Sequence, residues 1–67
     1  MKITINGIPE LINEEKITVS DLLKIKKFTF KMIIVRINGK VINKEDYDKT
    51  YISEGDDVQV IHLISGG

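Results

Sequence analysis

The residues best suited to chemistry in this chain are its last two. Gly66-Gly67 hold a carboxylate at the end of two residues that lack a Cβ. Glycine tolerates nearly all of φ/ψ space, so such a tail can lie extended in an active-site tunnel too narrow for ordinary residues. The carboxylate is then a handle that another protein can activate. At average glycine usage of roughly 7%, two closing glycines arise by chance in about one chain in 200. Polar chain ends also commonly carry no role, so the tail needs support from the rest of the sequence. Elsewhere reactive groups are sparse. With no cysteine there is no disulfide, no thiolate metal site and no cysteine nucleophile, and the single histidine, His62, cannot build a metal cluster. Imidazole titrates near neutrality, but no nucleophile or orienting acid stands close to His62 in the sequence. It reads as a strand residue facing a sheet surface or a partner.

Composition narrows the function classes. A chain of 67 residues with 42% hydrophobic content makes one small domain that buries only about 60% of its unfolded surface, too little to enclose a deep catalytic cleft. Ten basic and ten acidic side chains cancel, so no global field favours nucleic acid or an anionic membrane. Lys24, Lys26, Lys27 and Lys31 cluster without interleaved stacking aromatics beyond Phe28 and Phe30, which argues against nucleic-acid binding there. No apolar run approaches the roughly 18 residues that span a bilayer. The chain opens on a strand pattern instead of a signal peptide, so the expected location is the cytoplasm. Asp46, Asp48, Glu54, Asp56 and Asp57 read as a solvated face with turn preferences, or as an attraction for a basic partner groove.

The elements that must present the tail follow from local pattern. Residues 1–5 alternate with β-branched side chains, and Asn6-Gly7 supplies the positive-φ pair of a two-residue type I′ hairpin. Residues 8–12 form its second strand, which must be peripheral because Pro9 lacks a donor. Thr18-Val19-Ser20-Asp21 has the form of a capping box, with Asp21 near the positive helix end. Val19, Leu22 and Leu23 make one apolar stripe of a short amphipathic helix, and Lys24, Lys26 and Lys27 complement its C-terminal dipole. Ile33-Ile34-Val35-Arg36-Ile37, Asn38-Gly39 and Lys40-Val41-Ile42 repeat the hairpin signal. Residues 43–51 suit a 3₁₀ turn or irregular loop, with Tyr47 anchoring it by donating its hydroxyl to a backbone group. Glu54-Gly55-Asp56 is a tight turn.

The last strand, residues 57–64, sets Val58, Val60, His62 and Ile64 on one face and Gln59, Ile61 and Leu63 on the other. Apolar groups on both sides imply a central or covered strand. If Val58 and Val60 face the helix, Ile61 and Leu63 lie on the uncovered face, where an exposed apolar patch suggests docking. The order ββ-α-ββ-β suits an α+β fold in which the first and last strands lie side by side and parallel. One helix then packs across a mixed sheet of four to five strands, the β-grasp (ubiquitin-like) layout, with residues 65–67 as a flexible tail.

Within that layout Met1-Lys2-Ile3-Thr4-Ile5-Asn6-Gly7, Thr18-Val19-Ser20-Asp21-Leu22-Leu23 and Val35-Arg36-Ile37-Asn38-Gly39 resemble the ThiS family of sulfur carriers in thiamine biosynthesis, within the ThiS/MoaD group. The closing half is more similar still. There Glu45-Asp46-Tyr47-Asp48-Lys49-Thr50 leads into Glu54-Gly55-Asp56-Asp57-Val58-Gln59-Val60-Ile61-His62-Leu63 and Gly66-Gly67, in the family's order. The resemblance covers essentially the whole chain and departs in two places. Residues 24–31 lack the glycine that many members place after the helix, implying an irregular or longer helix exit, and Ser65 stands where some members have a third glycine.

The resemblance implies a protein co-substrate, not an enzyme. Gly67 would be adenylated at the expense of ATP by a ThiF-like adenylyltransferase and converted to a thiocarboxylate by a sulfur donor, a cysteine desulfurase or persulfide protein. Thiazole synthase (ThiG) would then receive the sulfur. Gly66 would supply reach, Ile61, Leu63 and His62 would dock partners, and no cofactor or metal would be bound. The molybdopterin synthase small subunit shares fold and terminus but tends to be longer. A ubiquitin-like modifier would use the same terminus for isopeptide bonds, and a β-grasp interaction module would leave the tail idle.

Overall fold

Two turns of one kind organise the sheet. Asn6 and Gly7 sit at φ 53° and 80°, and Asn38 and Gly39 at 52° and 84°, the paired positive values that a type I′ turn requires. In the computed structural model, which describes residues 1–28 and 32–63, the elements are β1 (Lys2–Ile5), β2 (Ile8–Leu11), β3 (Ile17–Thr18), α1 (Val19–Ile25), β4 (Ile33–Ile37), β5 (Lys40–Ile42), β6 (Tyr51–Ile52) and β7 (Asp57–His62). A 3₁₀ turn covers Lys44–Asp46.

The main sheet has five strands in the order β2-β1-β7-β4-β5. β1 and β7 pair in parallel, with Thr4 opposite Asp57 and Ile5 opposite Val58, while β4 runs antiparallel to β7 from Ile33–His62 to Ile37–Val58. β7 is therefore the central strand, and β2 with Pro9 is an edge, where a missing donor is tolerated. This is an α+β β-grasp arrangement, one helix on one face of a mixed sheet. The expected order holds, but β3 and β6 add a separate two-stranded sheet, with Ile17 opposite Ile52 and Thr18 opposite Tyr51.

The helix starts where its capping residues place it. The Thr18 hydroxyl accepts from the Asp21 N–H at 3.1 Å, and the Asp21 carboxylate accepts from the Thr18 N–H at 3.2 Å, so two donors at the start of the helix are satisfied reciprocally. Val19 and Leu22 are fully buried against Ile3, Ile5, Val35, Ile52, Val58 and Val60, with Leu23 partly buried beside them. Each such side chain contributes about 1.5–3 kcal/mol of burial.

The helix exit is neither irregular nor extended. Lys27 takes φ 56°, the Phe28 N–H donates to the Leu23 carbonyl at 2.8 Å and the Lys27 N–H to the Lys24 carbonyl at 3.1 Å. That is a Schellman motif, with lysine in the left-handed position that glycine usually takes. Lys26 reaches Glu10 on β2 at 3.1 Å. Lys31 and the connection at 29–31 lie outside the described residues, as do Ile64, Ser65, Gly66 and Gly67.

The loop before β6 is anchored differently from expectation. Tyr47 packs its ring into the core and its carbonyl accepts from the Ser20 N–H at 3.1 Å; among the described residues no hydroxyl bond from Tyr47 accompanies these contacts. Because the loop docks on the first turn of α1, the ring fills the same core as Leu22 and Ile52. At the far end of that loop, Gly55 at φ 84° closes the turn in which the Asp56 N–H donates to the Ser53 carbonyl at 3.1 Å.

Candidate functional site

β7 is the strand that precedes Gly66-Gly67 in the sequence, and its two faces differ. Val58 and Val60 are buried beneath the helix, and alternation sends Gln59, Ile61 and Leu63 to the uncovered face. Ile61 is 36% and Leu63 39% exposed. Ile61 stands opposite Ile34 of β4, and the Leu63 N–H continues the pairing to the Met32 carbonyl at 2.9 Å. Met32 is itself exposed. Ile34, half-buried on the same face, is the neighbour that the sequence reading missed; the alternation of Ile33 to Ile37 against Val35 was the signal that could have found it.

Further along this face the surface turns polar. Arg36 lies opposite both Gln59 and Val41, and Thr4 opposite Asp57, whose carboxylate accepts from the Thr4 hydroxyl at 2.9 Å. An apolar end thus adjoins the chain's exit toward residue 64, and a polar end lies at the start of β7. His62 does not join Ile61 and Leu63. It pairs with Ile33 and belongs to the helix-side face, exposed at the strand end. The structure therefore brings two of the three expected docking residues together and sets the third on the other side of the strand. Gly66 and Gly67 lie outside the described residues.

Three of the acidic candidates make bonds within the fold. Asp48 accepts from the Ser20 hydroxyl, the Glu54 carboxylate from the Lys2 N–H at 2.9 Å, and Asp56 from the Ser53 N–H at 2.9 Å. These bonds fix turns, as acidic residues at such positions commonly do. Lys16 lies over the Tyr51 ring at 4.5 Å. A shallow groove beside the helix is lined by Glu14, Lys16, Ile17, Asp21, Lys24 and Ile25, with two cations and two carboxylates that offset each other. Burial raises the Tyr47 phenol above its ordinary pKa, a consequence of desolvation that disfavours the phenolate. Among the described residues no cluster of His, Asp or Glu is arranged to hold a metal, and no helix is long and apolar enough to cross a membrane.

Comparison with known proteins places this geometry. The ThiS family model matches residues 3–67. The sulfur carrier protein ThiS of Bacillus subtilis is 32% identical over 50 residues, 75% of this chain and 76% of that protein. An uncharacterized protein, ycf40, of Trieres chinensis is 29% identical over 63 residues, 94% of this chain and 85% of that one. The crystal structure of the thiamine biosynthesis protein ThiS from Geobacter metallireducens superposes with a TM-score of 0.90 at 32% identity, covering the whole of both chains. The solution structure of a thiamine biosynthesis protein from the same organism gives 0.81 at 32% identity, over all of this chain and 88% of that one. With its sequence matched from residue 3 to residue 67 and its fold superposed over the whole chain, this chain belongs to the ThiS family.

Proposed function

We propose that this chain is a sulfur carrier of thiamine biosynthesis, with Gly67 as the atom-bearing residue. One observation carries the reading: the family match runs through to the last residue, so it includes Gly66-Gly67. As a ThiS-family member the chain is a carrier and not a catalyst. The relative in Bacillus subtilis is named a sulfur carrier protein, and the Geobacter structures are named thiamine biosynthesis proteins.

The chemistry follows from the weakness of a carboxylate as an electrophile. Attack of the Gly67 carboxylate on the α-phosphorus of ATP, within a ThiF-like adenylyltransferase, releases pyrophosphate and leaves an acyl adenylate. A persulfide on a cysteine desulfurase or another donor protein then attacks the carbonyl carbon and expels AMP, a good leaving group. Cleavage of the resulting S–S bond by a thiol leaves the thiocarboxylate on Gly67, which thiazole synthase (ThiG) takes as its sulfur source. Gly66 keeps the tail narrow in both active sites. Ile61 and Leu63 dock the partners on the uncovered face, and His62 meets a partner that also grips the strand end from the helix side. The work belongs in the cytoplasm, with ATP consumed by the partner and no cofactor held by this chain.

The absence of cysteine makes the test direct. The protein is isolated from its host, treated with a thiol-alkylating reagent, and any adduct is located by intact mass and fragmentation. An adduct on Gly67 is expected. No adduct after incubation with ATP, a sulfur donor and the host's adenylating enzyme would overturn the reading, and higher-mass conjugates to lysine would point to a protein modifier instead. Sulfur passed to a pterin precursor and not to thiazole would reassign the acceptor.

A further inference from the structure

We infer that Asn6 is a positioning residue for the C-terminal strand: its side-chain amide continues the parallel β1–β7 ladder past the point where β1 has turned away. This rests on the carrier reading above. Within the ladder the Thr4 N–H donates to the Asp56 carbonyl at 3.0 Å and the Asn6 N–H to the Val58 carbonyl at 2.8 Å. The next residue of β7 with its main chain facing β1 is Val60, but β1 ends at Ile5 and the chain reverses at Asn6, φ 53°. The Asn6 amide fills the gap. Its Oδ1 accepts from the Val60 N–H at 2.8 Å and its Nδ2 donates to the Val60 carbonyl at 3.2 Å. Asparagine is among the few side chains that tolerate positive φ and also carry a donor and an acceptor in one plane.

The second turn uses its amide at the start of β7, with one main-chain and one side-chain partner. Asn38 Oδ1 accepts from the Asp57 N–H at 2.9 Å and its Nδ2 donates to the Asp56 carboxylate at 3.1 Å. β1 runs parallel to β7 and β4 antiparallel to it, so the two turns reach the central strand at different levels, Asn38 at Asp57 and Asn6 at Val60. Asn38 holds the start, where the surface is polar. Asn6 holds the half that carries Ile61 and Leu63 and continues to the terminus. Fixing Val60 on the β1 side, where β4 already holds Ile61 and His62 on the other, braces the strand that presents Ile61 and Leu63, so a partner meets an ordered face and binding loses less to ordering.

The test compares Asn6→Gly with Asn38→Gly. Glycine keeps positive φ at no steric cost, so both variants keep their turns and lose the same amide. Amide exchange by NMR should show Val60 opening about five- to tenfold faster in N6G than in N38G or wild type, the effect of one lost side-chain bond pair on a local opening. With the host's adenylating enzyme, N6G should raise KM about fivefold with kcat unchanged, while N38G leaves both unchanged. Loss of stability alone would move neither parameter while the chain stays folded. Should N6G fold poorly, Asn6→Asp keeps the turn and the acceptor, removes the donor to the Val60 carbonyl, and is expected to act in the same direction. Unchanged Val60 exchange in N6G, or equal KM effects in N6G and N38G, would overturn the inference. A wild-type chain that is never adenylated would remove the carrier reading and the effect on adenylation with it, while exchange at Val60 would still report on the clamp.

Discussion

Replacing Lys27 by glycine should leave this protein more stable than replacing it by alanine, although alanine is the better helix former. Lys27 occupies φ 56° in the Schellman motif that ends α1, with its N–H bonded to the Lys24 carbonyl and that of Phe28 to the Leu23 carbonyl. An L-residue held left-handed costs roughly 1–2 kcal/mol through the clash of its Cβ with the following carbonyl oxygen. Glycine removes that clash but loses about 0.4–1 kcal/mol more than alanine through the freedom of the unfolded chain. Both substitutions remove the same charge from the helix C-terminus, so comparing them cancels the electrostatic loss. The difference leaves Lys27→Gly more stable than Lys27→Ala by about 1 kcal/mol, or about 4–8 °C in Tm for a domain of this size. Asparagine, which visits the left-handed region readily, should fall between them. Urea unfolding followed by circular dichroism, with calorimetry for Tm, measures all three. If alanine equals or exceeds glycine, Lys27 is not held in the left-handed region, and the account of the helix exit is wrong.

Other expectations concern the open face, the core and the tail. Leu63 is 39% exposed, so Leu63→Asp should change stability by no more than about 0.5 kcal/mol while weakening partner affinity by about tenfold or more in titration calorimetry; unchanged affinity would end the docking proposal. Burial holds the Tyr47 proton more tightly in the folded state than in the unfolded chain. The corresponding stability is complete below the unfolded phenol's pKa near 10 and is lost as pH rises through the higher folded value. Tyr47→Phe should therefore show a shallower alkaline loss of stability than wild type in melts taken at increasing pH, and identical profiles would contradict the desolvation. Gly66→Ala should leave Tm unchanged and slow adenylation and sulfur delivery on the order of tenfold or more, because a Cβ obstructs a narrow site; normal rates in both assays would show that slimness at Gly66 is not needed.

The features legible in the sequence are those whose cause is local. Asn-Gly can form a type I′ turn from two residues alone, and both copies do. Thr18 and Asp21 form their box from four residues, and Pro9 marks an edge through its own missing donor. The exposed position of Ile61 and Leu63 follows from the period of a strand once the burial of Val58 is assumed. β3 and β6 escape this kind of reading because two-residue strands show no alternation, and the pairing of Ile17 with Ile52 depends on the loop that docks Tyr47. Lys27 escapes it too, since lysine disfavours the conformation it is held in. The amide clamps are hidden for a different reason: Asn6 and Asn38 are already explained by their turns, so nothing local signals a second role. That role arises only because β1 stops short of Val60 while β7 continues. The same stagger lets β7 carry its chain beyond the strand beside it. That extension carries a structural cost, a stretch of central strand that β4 pairs on one side and β1 leaves open on the other, and one asparagine amide offsets it at Val60.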